Sequence, residues 1–154
     1  MKAKTFVLAP VLCFIAAGVC FAQNAYMGTW KLNEAKSTIP AGATKNHTVV
    51  YEAAGADTKV IVDGTDANGA ATHNEWTGKF DGKDYPVTGD PTADTRAYRW
   101  VDARTLAMTI KKGGKVTVTG RITVTANGKS RTVMTSGTDA TGKKFETNAV
   151  YDKQ

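Results

Sequence analysis

The sequence predicts an all-β protein, an antiparallel up-and-down meander closed into a single barrel of about 8–10 strands. Three observations lead there. Short runs rich in Val, Thr, Ile, Tyr and Trp recur along the chain at regular spacing. Gly-containing turn dipeptides such as Asp81-Gly82, Gly113-Gly114 and Asn127-Gly128 punctuate them. No stretch sustains a helical period, the best candidate being one turn at residues 32–36, ended before Pro40.

The first element is a targeting segment, residues 1–22. Lys2 and Lys4 form a positive start, residues 6–19 are nearly all apolar, and Cys20-Phe21-Ala22 places small residues at −3 and −1 of a cut after Ala22. The apolar run is short against the roughly 20 residues of a membrane span, so we expect cleavage rather than a retained anchor. Cys20 also raises lipid attachment at the cut, but Val19 stands where that signal carries Gly, Ala or Ser. The expected location is secreted or periplasmic. Both cysteines, Cys13 and Cys20, leave with the leader. The remaining domain, residues 23–154, then has no disulfide, no thiol chemistry and no cysteine metal site.

The whole chain carries a formal charge of +6, and the two leader lysines leave +4 on the domain. The signs are interleaved. Lys111-Lys112 and Lys143-Lys144 are the only adjacent Lys/Arg pairs, and they flank turns, so we expect no nucleic-acid partner. No transmembrane segment is expected in the mature chain, and the expected state is a monomer.

Expected strands cover residues 27–33, 44–52, 59–64, 72–80, 83–87, 95–101, 105–111, 116–126, 131–137 and 144–152. The clearest is 116–126. There Val116, Val118, Gly120, Ile122, Val124 and Ala126 fall on one face, and Thr117, Thr119, Arg121, Thr123 and Thr125 on the other. An internal echo supports repeated hairpins: residues 64–69 and 137–142 both read Gly-Thr-Asp-Ala-x-Gly. A long meander avoids exposed edges most simply by closing on itself.

Gly28-Thr29-Trp30 opens the first strand of the domain. In this the chain resembles the calycin barrels: lipocalins, fatty-acid-binding proteins and avidins. The resemblance implies a barrel whose Trp30 plugs one end behind Gly28, with an Arg from a late strand, Arg121 or Arg131, packed across it. The helix pair of the fatty-acid-binding proteins is missing. The domain also resembles a group of small exported bacterial proteins, through Gly28-Thr29-Trp30-Lys31-Leu32-Asn33, Asp81-Gly82-Lys83-Asp84-Tyr85-Pro86-Val87 and Val150-Tyr151-Asp152-Lys153.

Aromatic residues supply the candidate site. Trp76 and Phe80 share a strand face with Asn74 and Gly78, Tyr98 and Trp100 share one with Arg96, and Tyr85 precedes Pro86 at a sharp break. Aromatic walls with a few polar groups suit a small-molecule cavity, and an Arg beside two aromatic rings fits an anionic headgroup. We therefore expect Trp76, Phe80, Tyr85, Arg96, Tyr98, Trp100 and Arg121 to bind a small, partly apolar ligand non-covalently. The other reading is an interaction or inhibitor module with a filled interior, acting on a protein partner through loops such as 81–94, where Tyr85, Pro86 and Pro91 crowd among charges.

Catalysis and metals find no support in the motifs. Gly-x-Ser-x-Gly and His-Glu-x-x-His are absent, and paired acids such as Asp63 with Asp66 lie at turns that use Asp for local hydrogen bonds. Asp66, Asn68, Gly69 and Glu75 mimic part of a calcium loop, but Gly64 stands at its first position. His73 and Glu75 share a strand face, and we expect solvated side chains there rather than a metal site. No cofactor and no enzymatic activity are expected.

Overall fold

The computed structural model describes residues 25–139 and 141–154, so the expected leader at 1–22 lies outside the described residues. Ten strands follow one another: β1 (Gly28–Leu32), β2 (Lys45–Ala54), β3 (Asp57–Thr65), β4 (Ala71–Gly78), β5 (Tyr85–Thr88), β6 (Thr95–Asp102), β7 (Thr105–Lys112), β8 (Lys115–Val124), β9 (Ser130–Thr138) and β10 (Lys144–Lys153). Each pairs antiparallel with its sequence neighbours, and β1 pairs with β10 to close the barrel. The closure leaves no strand at the end of an open sheet, although β5 pairs with each neighbour over only two residues. A single 3-10 turn, Glu34–Lys36, follows β1, with the Lys36 N–H donating to Asn33 Oδ1 at 3.2 Å. Among the described residues no helix is long and apolar enough to cross a membrane.

Period-two alternation decides what faces inward. On β8, Val118, Gly120, Ile122 and Val124 turn to the interior, while Thr119, Arg121 and Thr123 are exposed. The expected face breaks at both ends. Ile110 pairs with Val118 but Lys111 pairs with Val116, so Thr117 is an extra residue in the ladder. A bulge reverses the phase beyond it, and Val116 ends 55% exposed. Ala126 lies past the end of β8, in the turn before β9.

The internal echo is a repeated structure. In the β3–β4 turn Asp66 Oδ1 accepts from the N–H groups of Asn68 and Ala70 at 2.8 and 2.9 Å. In the β9–β10 turn Asp139 Oδ1 accepts from Thr141 and Lys143 at 2.9 and 3.0 Å. The glycine that opens each repeat sits against a bulge in the neighbouring strand. A Cβ at Gly64 would strike the Lys45 carbonyl, and one at Gly137 the Thr117 carbonyl. The Asp66 segment is thus a β-turn, as its sequence suggests.

Two expected tight hairpins are longer connections. Gly113-Gly114 forms a two-residue turn with both φ positive, 56° and 74°, as the twist of a hairpin favours. Asp81 and Asn127 cannot do the same, because no non-glycine residue has positive φ among the described residues. Their carboxylate and amide instead accept from backbone N–H groups two residues on, at Lys83 and Lys129. The chain after β4 folds back on β6, where the Gly82 N–H donates to the Tyr98 carbonyl at 2.8 Å.

The two ends of the barrel differ. At one end Tyr26, Trp30, Leu106, Ile122 and Val124 are fully buried and close the interior. At the other end the inward-facing Ile110, Val118, Thr135, Phe145 and Thr147 are only half-buried, which makes that end the mouth. The β1–β2 connection crosses β10 there, with Thr38 bridged to Asn148 and Ile39 packed on the core.

Candidate functional site

The floor of the barrel is built from rings. Trp76 stacks on Phe80 with centroids 6.1 Å apart, and meets Tyr98 edge-on at 4.8 Å and Tyr85 at 5.7 Å. Phe80 meets Trp100 at 5.5 Å, and Tyr26 meets Trp100 at 5.4 Å. These are favourable edge and offset geometries. Their polar atoms are satisfied locally: Trp76 Nε1 donates to the Arg96 carbonyl and Trp30 Nε1 to the Tyr26 carbonyl, each at 2.8 Å. Phe80 reaches the cluster although β4 ends at Gly78, because it keeps the inward phase of Asn74, Trp76 and Gly78.

Arg131 completes the floor. Its guanidinium carbon lies 4.8 Å from the Trp30 ring centroid and 4.9 Å from those of Tyr51 and Tyr151. Nε and Nη1 have no hydrogen-bond partner among the described residues, so the rings themselves carry the charge, at about 1–2 kcal/mol per desolvated contact. Burial pushes the Tyr151 phenol up to about 12 and raises Tyr26 and Tyr51 as well, with Arg131 opposing each shift. Of the two arginines that the calycin resemblance offered for Trp30, Arg131 takes the place. Gly28 sits exposed at φ 98°, opposite Tyr51 in the ladder, and Lys153 Nζ lies 5.3 Å over Trp30.

Above the floor, towards the mouth, the lining turns polar around Arg96. Its side chain is only 6% exposed. Nη2 donates to Asn74 Oδ1 at 3.2 Å, Nη1 lies 3.5 Å from Tyr98 Oη, and Asp90 Oδ2 stands 3.9 Å from Nη2. Arg96 Nε and Thr72 Oγ1 are buried with no hydrogen-bond partner among the described residues. Asp90 is fixed by its own loop, since its Oδ1 accepts from the Thr92 N–H at 2.9 Å and hydroxyl at 2.7 Å. The register carries this polar group to the half-buried apolar wall: Arg96 is opposite Ile110, Ile110 opposite Val118, Val118 opposite Gly137, and Gly137 opposite Phe145.

Two depressions open to the surface. One, about 320 Å³, lies against the wall of β8–β10 near the mouth and is lined by the exposed Val116, Thr119, Ser136, Lys144 and Glu146 as well as by Phe145. The second, about 220 Å³, lies at the closed end against Lys79, Phe80, Asp81 and Trp100.

The structure brings together Trp76, Phe80, Tyr85, Tyr98 and Trp100 as one ring cluster, with Arg96 adjoining through Tyr98 and the Trp76 bond. Arg121 is elsewhere, exposed on the outer face of β8 opposite Met134. Tyr85 is half-buried rather than a free surface ring: it lies against Gly78, and its hydroxyl donates to Asp81 at 3.0 Å. Asp90 is the partner of Arg96 that sequence reasoning did not identify, and Tyr26, Tyr51 and Tyr151 are rings it did not place. Outside the barrel, His73 Nδ1 lies 2.7 Å from Asp63 and Nε2 3.5 Å from Glu75. Among the described residues no group of three or more His, Cys, Asp or Glu is arranged to hold a metal.

No family model matches the chain, and no curated protein matches it. Among solved structures, that of EF1p2_mFAP2b bound to DFHBI shares its fold with a TM-score of 0.50 at 12% identity, covering 88% of this chain and 99% of that one. A redesigned β barrel, mFAP1, bound to DFHBI, gives a TM-score of 0.47 at 15% identity over 86% and 99% of the two chains. At these identities the likeness is one of fold.

Proposed function

We propose that this protein is an exported carrier that binds a small, partly apolar molecule non-covalently at the mouth of its barrel. One observation supports the reading above others: Arg96 is buried towards the half-open end, and its Nε–H and the hydroxyl of the inward-facing Thr72 each lack a hydrogen-bond partner among the described residues. A buried donor left without an acceptor costs about 1–3 kcal/mol, and a ligand acceptor recovers it. The half-buried Ile110, Val118 and Phe145 supply an apolar wall for the rest of the molecule. The ring cluster below is the floor on which such a ligand rests, held rigid by mutual packing. A barrel of this fold is itself bound to a small molecule, DFHBI.

Native mass spectrometry of the protein isolated from its own source tests this. Wild type should carry an adduct that is released on denaturation. Arg96→Gln should lose it while keeping the near-UV circular dichroism of the packed rings. A bare mass for wild type, or an adduct that Arg96→Gln retains in full, would overturn the proposal.

A further inference from the structure

We infer that Asp90 sets the charge class of the ligand, making the mouth a site for an uncharged molecule that presents a hydrogen-bond acceptor, and excluding carboxylates. The inference rests on the reading of the mouth as the binding site. An arginine among aromatic rings, taken alone, suits an anion. Here the cation already has its counter-ion. Asp90 Oδ2 faces Arg96 Nη2 at 3.9 Å, with the Arg96 side chain 6% and the Asp90 side chain 18% exposed.

Asp90 is held in that position from behind by the N–H and hydroxyl of Thr92. The loop that carries it is anchored by the buried Ala93 and by Asp94, whose N–H donates to the Lys111 carbonyl at 2.8 Å. Three lysines at this end are already paired with acids, Lys45 with Glu34 at 2.6 Å, Lys112 with Asp94 at 2.7 Å and Lys111 with Asp84 at 2.6 Å, and a fourth, Lys144, is exposed to solvent. The pair is therefore neutral as built. A carboxylate entering beside it leaves one uncompensated negative charge in a poorly solvated place. An amide, ester or ketone oxygen accepts from Arg96 Nε without changing the net charge.

A matched pair of eight-carbon probes, octanamide and octanoate, separates the possibilities by isothermal titration calorimetry on the whole protein. Wild type should bind octanamide at least about tenfold more tightly than octanoate, a difference of about 1.4 kcal/mol. Asp90→Asn keeps an Oδ1 for Thr92 and so keeps the loop. It should tighten octanoate at least about tenfold and change octanamide by less than about threefold. Arg96→Gln should weaken both. Equal affinities for the two probes in wild type, or no gain for octanoate in Asp90→Asn, would overturn the inference and leave the binding site standing. Binding of neither probe by wild type or by Asp90→Asn would overturn the binding site itself.

Discussion

The guanidinium of Arg131 lies 4.8 Å from the ring of Trp30, buried among three aromatic rings, and neither its Nε nor its Nη1 has a hydrogen-bond partner among the described residues. Arg96 is the second buried arginine, and its surroundings are the opposite: an amide, a phenol and a carboxylate. One guanidinium acts as a packed cationic plate that seals the floor. The other keeps its Nε–H without a hydrogen-bond partner among the described residues.

That difference predicts how Arg131 responds to substitution. Arg131→Ala removes three cation–π contacts and opens a cavity, and should destabilise by about 3 kcal/mol. Arg131→Met refills the volume and avoids burying a charge, so it should recover more than half of that loss. Chemical denaturation of both variants reads the comparison. A methionine variant as unstable as the alanine one would mean that the charge, not the shape, holds the floor.

Gly78 and Tyr85 form a second coupled pair. A Cβ at Gly78 would land inside the contact made by the Tyr85 ring. Gly78→Ala should destabilise by about 1–3 kcal/mol through overpacking. In the Tyr85→Ala background the same change should cost about 1 kcal/mol less or better. Additive effects in the double-mutant cycle would show that the ring does not press on this strand.

The buried phenols make a prediction for alkaline pH. Burial raises Tyr26, Tyr51 and Tyr151 above the ordinary value of about 10. With the folded values above the unfolded ones, the stability tied to these groups is full below pH of about 10 and is lost as pH rises through the folded values. Absorbance at the tyrosinate band should therefore lag behind free tyrosine and rise together with loss of circular dichroism. Independent ionisation of Tyr26, Tyr51 and Tyr151 near pH 10, in a still-folded barrel, would contradict the packing described.

On the outer wall, the hydrogen bond to Asp63 holds the His73 imidazolium above its usual range, and Glu75 adds to the effect. The sign follows from that direction. The pair helps the fold below the unfolded histidine value, about 6.5, and the help fades as pH rises through the higher folded value. A histidine NMR titration should find a midpoint above about 6.5, falling towards it in Asp63→Asn. Both groups are exposed, so the change in stability should be small.

Much of the barrel was legible because alternation and turn chemistry are local. Val118, Ile122 and Val124 announce the inner face of β8, and the two Gly-Thr-Asp-Ala turns announce matching hairpins. The bulge at Thr117 was not legible, since it depends on how the carbonyl of that residue fits against Gly137 in the next strand. Asp81-Gly82 misled as a hairpin because its carboxylate serves a local turn while the chain returns to β6. For the site, both late arginines were offered for Trp30 and Arg121 for the ligand, although the alternation holds the signal that separates them: Arg121 falls in phase with the exposed Thr119 and Thr123, and Arg131 with the inward Val133 and Thr135. The pairing of Asp90 with Arg96 had no sequence signal, because a loop brings the carboxylate back over a strand it precedes.

The most direct test of the carrier reading follows the two buried guanidinium groups by their Nε–H resonances in a nitrogen–proton NMR spectrum while an apolar small-molecule extract of the native source is added. The Arg96 resonance should shift and saturate, and the Arg131 resonance should stay in place. An unmoved Arg96 signal, or a shift at Arg131 instead, would contradict a ligand seated at the mouth above a closed aromatic floor.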